Sequence, residues 1–126
     1  MLFRSGHVTR ANYGIAMHIH VAETDEKARN QARPAHAVFH ENFIRRYVEI
    51  GQADKYPLRL DFDQLVDDGK VLCGSPETVR RVLTRYLEQS RANYFLGSFA
   101  FGSMAFEQTR RSLELFAREV MPAFLP

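Results

Sequence analysis

The sequence has a single cysteine, Cys73, no tryptophan and no long apolar run. One cysteine excludes an internal disulfide, and no stretch reaches the ~18 consecutive apolar residues that a membrane span needs. Charge of one sign is lacking as well: 17 Lys and Arg stand against 15 Asp and Glu, for a formal net charge of +2. These charges are interspersed along the chain, so there is no basic footprint for a nucleic acid or a membrane surface. The pairs Arg45-Arg46, Arg80-Arg81 and Arg110-Arg111 fall on helical stretches. They read as solvated helix faces, because basic clusters that bind phosphate are normally denser. Seven Gly and five Pro are too few for a collagen-like or low-complexity chain. The opening MLFRSGHVTRANYG contains no apolar stretch of ~7–15 residues of the kind a secretory signal carries, which leads us to expect a cytoplasmic protein.

What is present is the composition of one globular domain over residues 1–126, with 45% hydrophobic and 12% aromatic residues. Residues 13–21, YGIAMHIHV, alternate, with Tyr13, Ile15, Met17, Ile19 and Val21 on one face and Gly14, Ala16, His18 and His20 on the other. Period two predicts a strand with two unlike faces. Thr24, followed by Asp25 and Glu26, predicts a capped helix start. Ala28, Ala32, Ala35, Val38, Phe39, Phe43, Ile44 and Tyr47 continue that helix towards Gly51, with Pro34 as a potential kink.

Residues 52–69 read as a connector holding at most a short helix, built on Leu60, Phe62, Leu65 and Val66 and ending at Gly69. A very short strand at 70–73 precedes Ser75-Pro76-Glu77, an N-cap, a proline at the first helical position and an acid in the first turn. A helix over 76–90 follows, then an aromatic-rich strand over 93–100 and a loop at 101–103. The last helix, from about Phe106 to Pro122, is expected to bury Thr109, Leu113, Phe116 and Val120. Strand, helix, short strand, helix, strand, helix is the order of repeated βα units, hence an α/β fold with parallel strands.

Three passages, HIHVAETDEKARNQA at 18–32, CGSPETVRRVL at 73–83 and NYFLGSFAFGSMAFEQTRRSLELFAREVMP at 93–122, together resemble the C-terminal part of the bacterial luciferase-like monooxygenases. The resemblance covers most of the chain. It implies part of a TIM (β/α)8 barrel, about its last three βα units, with parallel strands and the helices on one side. It also implies FMN, or a deazaflavin in some branches, used with oxygen to oxidise a small organic substrate. A complete barrel needs about 250 residues, so most strands are missing, and with them the strands that supply most of the flavin contacts in such enzymes. The resemblance thus implies an oxidoreductase part that is inactive as an isolated chain. The alternative is a non-catalytic module that self-associates or completes another chain. Three parallel strands leave two open edges, so a homo-oligomer or the missing part of the barrel is the expected partner.

In such a barrel the functional groups sit at the C-terminal ends of the strands. Ile15, Ile19 and Val21 would face outer helices, whereas Ala16, His18 and His20 would face the interior. His20, near a strand end, is a candidate hydrogen-bond donor to flavin or substrate, or else a polar residue bonded to backbone or water. Ser75, with the amides behind Pro76, is a candidate phosphate holder, although capping accounts for the same residues. Phe99, Phe101 and Phe106 around Gly102 could line an apolar pocket or simply pack the last helix. His18 and His20 share a face without a third ligand at a convincing spacing, so no metal is expected. His36 and His40 lack the Glu of an HExxH motif and read as solvated. Cys73 precedes a helix but has no partner for nucleophilic catalysis, which makes it a small buried residue. There is no GxGxxG, P-loop, GxSxG or CxxC motif.

Overall fold

The computed structural model describes residues 10–55 and 61–125. A strand, β1 (Gly14–Val21), leads into the long helix α1 (Asp25–Glu49). A short helix α2 (Phe62–Asp67) and a three-residue strand β2 (Leu72–Gly74) follow. Helix α3 (Pro76–Ser90), strand β3 (Tyr94–Ser98) and helix α4 (Phe106–Leu115) complete the main elements. Leu60 and the lead-in before Arg10 lie outside the described residues.

The caps read from the sequence form. Thr24 Oγ1 accepts from the Lys27 amide, and Ser75 Oγ accepts from the Thr78 amide. Pro34 neither splits nor ends α1, which runs through it. Its ring lies on the exposed side of the helix, so the one backbone bond that proline cannot donate is lost towards solvent.

All strand pairings are parallel, but the order is β2-β1-β3, with β1 in the centre. Ile19 pairs with Leu72 and Val21 with Gly74, while Gly14 to His18 pair with Tyr94 to Ser98. Paired residues of a parallel ladder point to the same face. Ile19, Val21 and Leu72 accordingly share a core with Val79 and Leu83 of α3 and Leu115 of α4. Cys73 shares the opposite core with Ala28, Ala32 and Ala35 of α1 and Phe62 of α2.

The parallel α/β arrangement is as the sequence indicates, but the helices do not lie on one side. Right-handed crossovers explain the correction. The connection from β1 to β2 and the connection from β2 to β3 run in opposite directions across the sheet, which places their helices on opposite faces. Ile19 and Val21 do face helices α3 and α4, as expected. The other face, assigned to His18 and His20, is covered by α1 towards the C-terminal end of β1 and left open towards its start. There Tyr94 and Leu96 remain 51% and 60% exposed.

The last helix also departs from expectation. Ser112 and Leu115 are buried, whereas Leu113 is exposed. A wider, π-type turn over Phe116–Val120 then inserts one extra residue, which brings Val120 back to the core. A final 3-10 turn spans Met121–Phe124.

Candidate functional site

The C-terminal ends of the strands gather Ala22 to Thr24, Gly74 with Ser75, and Phe99 to Ser103 on one side of the molecule. Between α1 and the segment entering α4 lies an open cleft of about 430 Å³ lined by Thr24, Lys27, Asn30, Gln31, Ser103 and Gln108.

His20 lies beneath this cleft and has no exposed surface. Its Nε2 is 2.8 Å from Gln31 Oε1, an oxygen that accepts and so makes Nε2 the donor. Nδ1 is buried without a hydrogen-bond partner among the described residues. Burial lowers the pKa of His20, partly offset by the Gln31 bond, so the ring resists protonation to a lower pH than a free imidazole. His20 therefore meets the cleft only through Gln31, the residue that sequence reading missed. The signal was there: Gln31 is a polar side chain within the stripe of Ala28, Ala32 and Ala35.

His18 and His36 belong to the same interface. His18 stacks on Phe101 with centroids 4.8 Å apart, meets Phe39 edge-on at 4.4 Å, and lies 6.0 Å from the His36 ring. His36, read as solvated, is buried, because α1 turns it against Phe62 and the loop after β3.

Phe99 and Phe101 do not line one pocket. Residues two apart share a face only while the strand continues, and β3 ends at Ser98. Phe99 packs on Phe116 in the core beneath α3 and α4, while Phe101 is buried beneath α1 and Phe106 is exposed. Gly102 sits at φ +56°, and a Cβ there would lie 1.7 Å from the Ala35 carbonyl oxygen. Its role here is the close approach of this loop to α1.

Ser75 is distant in function from those residues. Its amide donates to Asp25 Oδ1 at 2.7 Å, and Thr78 Oγ1 donates to Asp25 Oδ2 at 3.0 Å. A Cβ on Gly74 would come within 2.7 Å of Asp25 Oδ1, so glycine leaves the room that this carboxylate occupies. Burial alone would raise the Asp25 pKa, but these hydrogen bonds outweigh it and lower it. The place for a phosphate at this helix start is thus filled by the protein's own carboxylate, and Ser75 acts as a cap. Nearby Glu23, paired with Lys27 and Arg111, has its pKa lowered to about 2. Burial pushes the Cys73 thiol up to about 12, in keeping with a small buried residue.

The residues present do not by themselves make a flavin site. The two phenylalanines face different cores and the Ser75 amide is engaged. Among the described residues no group of three or more His, Cys, Asp or Glu is placed to hold a metal, and no helix is long and apolar enough to cross a membrane.

No family model matches the chain, and no curated protein matches it. Solved structures do. The monooxygenase RslO1 from Streptomyces bottropensis superposes with a TM-score of 0.67 at 21% identity, over 89% of this chain and 31% of that one. The oxygenating constituent of 3,6-diketocamphane monooxygenase from the CAM plasmid of Pseudomonas putida, a type II Baeyer-Villiger monooxygenase solved with FMN, superposes with a TM-score of 0.66. Its identity is 26%, over 90% of this chain and 34% of that one. This chain spans about a third of the length of the solved monooxygenases it matches. It has the fold of part of a flavin-using monooxygenase barrel, as its resemblance to the luciferase-like family implies.

Proposed function

We propose that this chain is the C-terminal part of a luciferase-like, flavin-dependent monooxygenase and that it works only when joined to the remainder of the barrel. The observation that carries this reading is the uncovered sheet. Among the described residues β3 has an unpaired outer edge, and the face bearing Ala16, Tyr94 and Leu96 is exposed in a fold that otherwise matches part of an FMN-complexed enzyme. A parallel sheet normally has both faces covered, and an exposed apolar edge is a pairing site.

When bound, the reduced flavin supplies the oxidising chemistry with oxygen. What this chain supplies is scaffold: three strands, the helix that follows each of them, and a cleft at the strand ends held in shape by His20 and Gln31. A small organic substrate is the class that the reading implies. The choice between FMN and a deazaflavin rests with residues outside this chain.

The same open edge supports self-association when the remainder is absent, as a dimer or larger oligomer in the cytoplasm. Two measurements test the reading. Fluorescence titration with FMN should show no binding by the isolated chain up to millimolar cofactor, and micromolar binding would contradict it. Light scattering at micromolar protein should show an oligomer, and a clean monomer would count against the role of the open face.

A further inference from the structure

His20 has one ring nitrogen bonded and one left over. Nε2 is 2.8 Å from Gln31 Oε1, whereas Nδ1 is buried with no hydrogen-bond partner among the described residues. That orphan fixes where the proton sits in the neutral ring. A proton on Nδ1 would leave a buried N–H unsatisfied, which folded proteins tolerate less well than an unused acceptor lone pair. The proton therefore sits on Nε2 and is donated to Gln31. Oε1 is in this way held down against His20, and the Gln31 NH2 points away from the ring, towards the cleft that Gln31 lines. Among the described residues that NH2 makes no hydrogen bond.

A second amide on the same wall is set in the same manner. Asn30 Oδ1 accepts from Arg33 Nη1 at 3.1 Å, which leaves the Asn30 NH2 as a donor beside the cleft. Charge then selects among acceptors. Lys27 Nζ is held by Glu23 at 2.9 Å and the Glu26 carboxylate lines the cleft as well, so the wall carries no uncompensated positive charge. An anion gains little from such a wall, while a neutral oxygen gains oriented N–H donors. Pro34, Ala35 and Ala105 offer an apolar surface for the carbon body behind that oxygen. The cleft lies at the C-terminal ends of the strands, so it does not depend on either sheet edge staying open once the barrel is complete.

We infer that Gln31, with His20 as its positioning residue, is the hydrogen-bond donor for a neutral carbonyl oxygen, of a ketone, ester or amide, bound in this cleft. The inference rests on the monooxygenase reading only in calling that ligand a substrate. Titration of the 15N-labelled chain with 2-butanone, and separately with its near-isostere propionate, tests it without flavin, at constant ionic strength set by chloride. The Gln31 side-chain NH2 resonances should shift and saturate in the millimolar range of 2-butanone and respond less to propionate. The His20 nitrogens should report Nε2 protonated and Nδ1 bare at neutral pH. Gln31→Glu keeps an oxygen for His20 but has no NH2, so 2-butanone, followed through the backbone amides around the cleft, should bind about threefold to tenfold more weakly. Gln89→Glu, an equal change of charge on an exposed position of α3, should leave binding unchanged. A proton on Nδ1, a Gln31 NH2 that does not move, an equal or larger response to propionate, or unchanged binding by Gln31→Glu would overturn the assignment. FMN binding by the completed barrel is a separate readout, so failure of the monooxygenase reading and failure of this one are told apart.

Discussion

The hydroxyl of Ser112 in α4 accepts the backbone amide of Val21 in β1 at 2.8 Å, across 91 positions of sequence. β3 pairs with β1 only as far as His18, so beyond that point Ser112 stands in for the missing strand. Both residues are fully buried. Ser112→Ala leaves a buried N–H unpaired and should cost about 1–3 kcal/mol in urea unfolding. An unchanged midpoint would show that water or a shifted backbone takes the bond.

Gly102 and Ala35 make a second close approach, backbone to backbone. Gly102→Ala puts a Cβ into the Ala35 carbonyl and asks alanine to adopt φ +56°. The left-handed conformation alone costs about 1 kcal/mol or more, and the loop must also leave α1 to relieve the clash. The expected result is a lower unfolding midpoint together with faster amide exchange in α1 around Ala35. Wild-type stability in this variant would mean that the loop does not pack as described.

Acid should loosen the interface between α1 and the sheet. Burial lowers the pKa of His18, His20 and His36, and His36 is lowered further by the neighbouring His18 and His40. The unfolded chain takes up protons at about pH 6.5, while the folded chain resists until lower pH. The stability these rings confer is therefore complete above about pH 6.5 and is lost as pH falls through the folded values. Glu23 and Asp25, whose pKa values are lowered, act in a separate window below the ordinary carboxylate range. Urea midpoints at about pH 7.5 and about pH 5.5 should differ, the lower pH giving the lower midpoint, and His36→Phe should reduce the difference. A flat profile would show that the imidazoles are not sheltered.

Leu96 tests the open face without disturbing the core. It is 60% exposed, on the face of β3 that also bears the exposed Tyr94 and Ser98, while Phe95 and Gly97 on the other face are half-buried. Leu96→Glu should turn the oligomer into a monomer in light scattering while changing the unfolding free energy by no more than about 0.5 kcal/mol. Retained association would place the contact elsewhere.

Local structure was largely legible in the sequence because its signals are local. Thr24 and Ser75 caps, the alternation around Ile19 and the Ser-Pro-Glu helix start each act within one turn. Strand order was not legible, since nothing in β2 itself says on which side of β1 it pairs, and that choice sends α1 to the face expected to be free of helices. The site was read less well for the same reason. His20 was picked out by its place on the strand, but its partner, Gln31, is fixed by how α1 crosses the sheet. Phe99 and Phe101 were grouped by sequence proximity, and the end of β3 between Ser98 and Phe101 sends them to different cores. In α4 the buried face runs through Ser112 and Leu115 and leaves Leu113 exposed, and the π-type turn after Leu115 then returns Val120 to the core, as the periodicity indicates.

The most direct test of the account is FMN binding by a hybrid in which this chain replaces the matching third of the 3,6-diketocamphane monooxygenase oxygenating constituent, joined as one polypeptide. The account predicts that the folded hybrid quenches FMN fluorescence with micromolar affinity, while the isolated chain does not. A hybrid that folds cooperatively yet leaves FMN fluorescence unchanged would contradict the reading of this chain as the completing part of a flavin monooxygenase.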